Sequence, residues 1–232
     1  MGAWQQFKRN GDFMINFNLL LEYYPLLLQG VVTSLQIAFT SCAIGAVIGT
    51  GLGIILAGKN KSAKLFAQVY VSIVRGTPML IQIMGTYFVL RSLGVPIPAL
   101  WSAIISIGLN SAAYLSQTIL SGITSVSKGQ IEAAKTLGFT PAQTIRYIIF
   151  PQAIRTVLPN LESEIVTLIK DSSLASTIGV YELTQRGQVI MSQTYDMPSI
   201  FFAIGIIYLM LTTTVTILMS FLNKKINYHA KP

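Results

Sequence analysis

Runs of apolar residues constrain this chain more than any other feature. A helix needs about 20 mostly apolar residues to cross the hydrocarbon core of a bilayer. Five stretches reach that length, at residues 28–57, 65–90, 98–119, 154–180 and 200–222. Only 10% of the residues are charged, less than half of the roughly 25% usual in soluble domains. The expected fold is an all-α integral membrane protein with about five transmembrane helices. Residues 13–24 mix Phe, Leu, Asn, Glu and Tyr, and read as a short interfacial helix stopped near Pro25. The chain then divides into a tail and interfacial helix (1–27), a membrane domain (28–222) and a tail (223–232).

The basic residues give an orientation. Lys59, Lys61, Lys64, Lys128, Lys135, Arg146, Arg155, Lys224, Lys225 and Lys231 lie on one set of connections, against Lys8, Arg9, Arg91 and Arg186 on the other. The excess of Lys and Arg on cytoplasmic loops places the N-terminus outside, and the C-terminus and the long 120s–150s connection inside. The net charge of +8 is thereby assigned to membrane topology rather than to nucleic acid. Cys42 is the single cysteine and His229 the single histidine, which leaves no disulfide and no metal cluster. The first residues lack the apolar core of a signal peptide, so the chain is expected to be held by its own spans, with the bilayer as partner.

Gly45, Gly49 and Gly53 recur every four residues in the first run. They read either as a close helix–helix interface or as ordinary span composition. The stretch from Gly53 to Asn60 nearly matches a phosphate-binding loop, but Asn60 stands where a Ser or Thr must hold magnesium, and no strand precedes it. No ATPase is expected in this chain, and no catalytic residue.

The connection from Lys128 to Pro151 is too patterned for a passive loop. Good helix formers run over 130–137, Gly138 suits a turn with φ > 0, and Thr140-Pro141 reads as a cap and first helical position. A second helix is expected to stop before Pro151. Ala133 and Ala134 leave one flat surface, suited to docking on a partner; a merely solvated hairpin is the plainer alternative.

Glu132-Ala133-Ala134, then Gly138, then Ile148-x-Phe150-Pro151 closely resembles the EAA signature of binding-protein-dependent importer permeases, with Phe150 where that family usually has Leu. Arg75-Gly76-Thr77-Pro78, Asn110-Ser111-Ala112-Ala113-Tyr114 and Lys170-Asp171-Ser172-Ser173-Leu174 are similar to stretches of its polar amino-acid subfamily. Relatives often carry Glu and Arg where this chain has Gln117 and Leu120. The resemblance implies a type I ABC importer permease with cytoplasmic coupling helices, in a bacterial cytoplasmic membrane. It implies a cytoplasmic ATPase dimer that binds ATP and magnesium and docks on the signature segment, so no cofactor belongs to this chain. It also implies a second permease subunit, identical or related, and an extracytoplasmic amino-acid-binding protein that delivers the substrate.

Charges within the spans mark the expected path. Four charged groups facing lipid would cost on the order of 10 kcal/mol, so Glu162, Glu164, Lys170 and Asp171 must face protein, water or substrate. At 100° per residue, Asn160, Glu164, Thr167 and Asp171 form one stripe and Glu162 points nearly opposite. Glu164 and Asp171 are read as path residues or as structural ion-pair partners of Lys170 or Arg75. Gly76 and Pro78 interrupt the second run, bringing Arg75 and Thr77 near the path or leaving Arg75 to reach the headgroups. Asn110 and Ser111 offer neutral hydrogen bonds to a substrate carboxylate. A gradient-driven transporter and a non-transporting scaffold are the competing functions.

Overall fold

A computed structural model describes residues 15–228. Lys8, Arg9, His229, Lys231 and the first two residues of the expected interfacial helix lie outside the described residues. All regular structure among those described is helical. Three helices are long and apolar enough to cross a membrane: α1 (Phe17–Ala57), α4 (Ala99–Thr124) and α9 (Met197–Tyr228, apolar to Phe221). A fourth candidate is the pair α2 (Lys61–Gly76) and α3 (Met79–Ser92), bent by 102°. The expected five spans are thus three or four by length and composition.

Two differences explain that count. The expected span at 65–90 is no single helix. Thr77 and Pro78 are both extended, with ψ of 144° and 136°, because Pro78 disfavours helical geometry at the residue before it. The expected span at 154–180 is α7 (Phe150–Asp171) followed by a tight 3-10 helix (Ser172–Ile178) that ends on Gly179 at φ 80°. Its charged residues keep α7 below the apolarity of a lipid-facing span.

The interfacial helix expected to stop at Pro25 is instead the first part of α1, which runs through Pro25 without a break. A proline inside a helix costs about 3 kcal/mol. Here Leu27, Leu183, Ile190 and Ile200 form a buried cluster, with Leu19, Leu20 and Tyr23 packed against it. That packing from α1's distant neighbours holds the helix through the proline. Asn16 caps the helix through a bond from the Leu19 N–H (3.1 Å), and its own N–H donates to Ser199 Oγ (2.9 Å).

The other end of α1 lies against α4. A methyl placed on Gly45 would sit 2.6 Å from Ser111 Oγ. On Gly49 it would meet the Ala112 carbonyl and Leu115 Cβ at 2.9 Å, and on Gly53 the Ile119 Cβ at 2.6 Å. In return, Gly108 of α4 leaves room for Ile44. Ser41 Oγ donates to the Ile104 carbonyl across the same contact (3.0 Å). The main core continues from this seam through Ile37, Ile83, Ile104, Ile107, Leu168 and Ile169. Asn60, at the near-match to a phosphate loop, caps α2 by accepting from the Ala63 N–H (3.1 Å).

Gly49→Leu is expected to lower stability by about 1–3 kcal/mol through overpacking. Gly51→Leu, where a Cβ meets nothing within 4 Å, is expected to leave the melting temperature in detergent nearly unchanged. Equal melting shifts for the two variants would refute the close seam.

Candidate functional site

Two groups of the expected site residues are each brought together, one in the membrane domain and one on the hairpin. In the membrane domain the break after α2 leaves carbonyls without helical partners. Side chains of the same segment take them up. Thr77 Oγ1 donates back to the Ile73 carbonyl (3.0 Å). The Gln82 side-chain amide donates to the Val74 carbonyl (2.7 Å), to Thr77 Oγ1 (2.7 Å) and to the Thr77 carbonyl (3.2 Å). Its oxygen accepts from Asn110 Nδ2 (3.0 Å). Thr77 and Asn110 are thus joined through Gln82, a residue the sequence reading passed over. A lone amide four positions after Pro78 in an otherwise apolar helix was the available signal. Arg75 is exposed and stands over the Tyr114 ring at 5.1 Å.

Ser111 is fully buried, and its Oγ makes no hydrogen bond of good geometry among the described residues. The half-buried Glu164 carboxyl faces it from α7 and lies within Coulombic reach of Asp171 and Cys42. Asp171 is half-buried and Lys170 exposed. Thr167 is spent on its own helix, donating to the Ser163 carbonyl (3.0 Å), and Asn160 likewise donates to the Thr156 carbonyl (2.9 Å). Glu162 turns away from this group and accepts from Asn223 of α9 (3.1 Å). The arrangement offers carboxylates and neutral hydroxyls to a cationic or polar guest.

A second residue, this one acidic, was missed. Glu182 is wholly buried between the 3-10 helix and α8 (Leu183–Thr194). It accepts from the N–H groups of Thr184 (2.9 Å) and Gln185 (2.8 Å), from Tyr208 Oη (2.9 Å) and from Ser34 Oγ (3.3 Å). It therefore ties α8 to α1 and α9. Glu is an uncommon N-cap, so its sequence gives little warning of this role.

The hairpin consists of α5 (Lys128–Thr136), a turn on Gly138 at φ 81°, and the short α6 (Pro141–Thr144). Thr140 and Gln143 form a capping box at the start of α6. The helix expected to stop before Pro151 does not stop. A π turn (Ile145–Ile149) joins α6 to α7, with the Phe150 N–H donating to the Ile145 carbonyl. Pro151 falls in the first turn of α7, where its missing N–H is tolerated. Ala133, Ala134, Leu137, Phe139, Ile148, Gln130 and Gln152 line an open pocket of about 240 Å³. Glu132 and Ala133 are exposed, and Leu137, Ile145 and Tyr147 expose apolar surface beside it. The sequence-distant parts of the signature thus converge on one face.

Membrane-length apolar helices with a bent, polar-lined pair among them continue through α7 into an exposed helical hairpin, the architecture of a helical membrane protein. Residues 49–228 match the model of the binding-protein-dependent transport system inner membrane component, and the chain belongs to that family. It is 38% identical to the nopaline transport system permease protein of Agrobacterium fabrum, over 94% of each chain. Its identity to the arginine transport system permease protein of Bacillus subtilis is 31%, over 91% of this chain and 97% of that one. The fold matches a chain of a crystallised amino acid ABC transporter with histidines at TM-score 0.86 and 34% identity, covering 91% of this chain and 99% of that one.

Gln82→Leu is expected to strand the Val74 and Thr77 carbonyls and cost about 1–3 kcal/mol, read as a lower melting temperature in detergent. Asn110→Leu, which removes one donor but leaves the break satisfied, is expected to cost less. The reverse order would contradict the assigned network.

Proposed function

We propose that this chain is the permease subunit through which an ATP-driven importer moves polar or cationic amino acids across a bacterial cytoplasmic membrane. The carrying observation is the hairpin. Ala133, Ala134 and Ile148 of the signature line one open pocket, Glu132 and Gly138 are exposed on the same hairpin, and the helix leaving it is α7, which opens on Phe150-Pro151 and bears Glu164 and Asp171. A surface of small and apolar residues with a charged edge suits a protein groove. In this reading the hairpin faces the cytoplasm, and the ten-to-four distribution of basic residues supports that orientation.

A dimer of ATPase subunits docks there and holds ATP and magnesium, so this chain carries no cofactor. A second permease subunit, identical or related, completes the pore. A binding protein hands over the amino acid outside. Glu164 and Asp171 attract the substrate's ammonium or basic side chain, Asn110 meets its polar groups, and the fully buried Ser111 stands behind Glu164. Arg75, Thr77 and Gln82 shape the bend beside it. Names of relatives that carry nopaline and arginine support an amino-acid derivative as cargo.

Glu132→Arg is expected to abolish co-purification of the ATPase and to remove uptake. Full uptake by that variant would refute the docking reading. Glu164→Gln is expected to lower uptake of cationic amino acids about tenfold while leaving ATPase binding intact, since a charge-assisted contact contributes about 1.5–3 kcal/mol. Unchanged uptake would take Glu164 out of the path.

A further inference from the structure

We propose that Gln152 is a positioning residue whose side-chain amide clamps α5 to the root of α7, so that the hairpin and the helix bearing Glu164 and Asp171 move as one body. The inference rests on the docking reading above and adds how a push on the hairpin reaches the path.

Three observations carry it. First, Gln152 Nε2 donates at once to Gln130 Oε1 on α5 (3.0 Å) and to the Ile148 carbonyl in the π turn (3.0 Å). A backbone carbonyl only accepts, which fixes the direction of the amide, and one NH2 group has a proton for each partner. Second, the clamp sits at an interruption of the regular helix between hairpin and path. The π turn at Ile145–Ile149 departs from the regular ladder, and Pro151, next to Gln152, has no N–H to give to the turn before it. Third, α5 has few other ties there. Its packing neighbours are α6 and the π turn, and the space between them is the open pocket of about 240 Å³, lined by Gln130, Ile148 and Gln152 themselves. Ala134 is the buried residue of α5.

Beyond the clamp, α7 continues as one helix to Asp171, with Pro159 inside it. Glu164 lies twelve residues on from Gln152, about 18 Å along a helix axis. With the clamp closed, displacement of α5 turns α7 and carries both carboxylates. With it open, the hairpin swings about the π turn and the stroke is absorbed there.

The test uses the complete complex of this chain, its ATPase and its binding protein in proteoliposomes, with uptake and ATP hydrolysis measured together. Gln152→Leu and, separately, Gln130→Leu are expected to keep the ATPase bound and hydrolysing. Uptake per ATP is expected to fall about fivefold, the factor a typical net hydrogen bond supports. The double variant is expected to fall no further than either single one. The exchange Gln130→Glu with Gln152→Lys restores an acceptor and a two-way donor, and is expected to recover the ratio. An unchanged uptake-to-ATP ratio in Gln130→Leu and Gln152→Leu, with the ATPase still bound, overturns the clamp and leaves docking standing. An ATPase that stays bound and coupled in Glu132→Arg overturns the docking reading, and the clamp with it.

Discussion

The backbone approach of α1 to α4 is the constraint on which the rest depends. Without a hydrophobic drive between helices inside lipid, association rests on close packing and on hydrogen bonds. Gly45, Gly49 and Gly53 let the two backbones come near enough for both. That approach packs the Ser111 hydroxyl against Gly45 of α1, with Glu164 of α7 facing it. It also places Gly122, on the same α4, against the Ala153 carbonyl of α7. One seam therefore sets where the polar face of α7 stands.

Around this seam the polar groups follow one logic. Three interruptions of regular helix are met by a side-chain amide or carboxylate. Gln82 repairs the bend at Gly76–Pro78, Glu182 caps α8, and Gln152 meets the carbonyl in the π turn. The repaired breaks lie beside the groups assigned to function: the bend next to Asn110, the π turn within the hairpin. A helix with its ladder intact is stiff, and a transporter needs elements that hold two arrangements. The breaks supply joints, and the repairs keep those joints affordable at membrane depth.

Much of this was legible in the residues. Apolar run length alone placed the chain in a membrane, and the turn at Gly138 and the cap at Thr140 followed from local chemistry. Two prolines misled. Pro25 and Pro151 both argue for a helix end, yet α1 passes through the first, held by packing against α8 and α9, and the π turn leads into the second. For Pro25 local propensity cannot see the compensating contacts, which come from distant parts of the chain, and for Pro151 it does not foresee the π turn. Gln82, Gln152 and Glu182 were missed for the same reason. Each also has a partner beyond its own helix, as far as 148 residues away for Ser34 and Glu182. Glu164 and Ser111, by contrast, were found separately because a polar residue in an apolar run is conspicuous alone, and folding then set them face to face.

The most direct measurement is uptake of labelled amino acids into proteoliposomes holding the full complex, energised by ATP with all ion gradients collapsed. The account predicts robust, saturable uptake that requires ATP hydrolysis and the binding protein. Uptake that persists without ATP but follows an imposed proton or sodium gradient would contradict it, and would recast Glu164 and Asp171 as ion carriers.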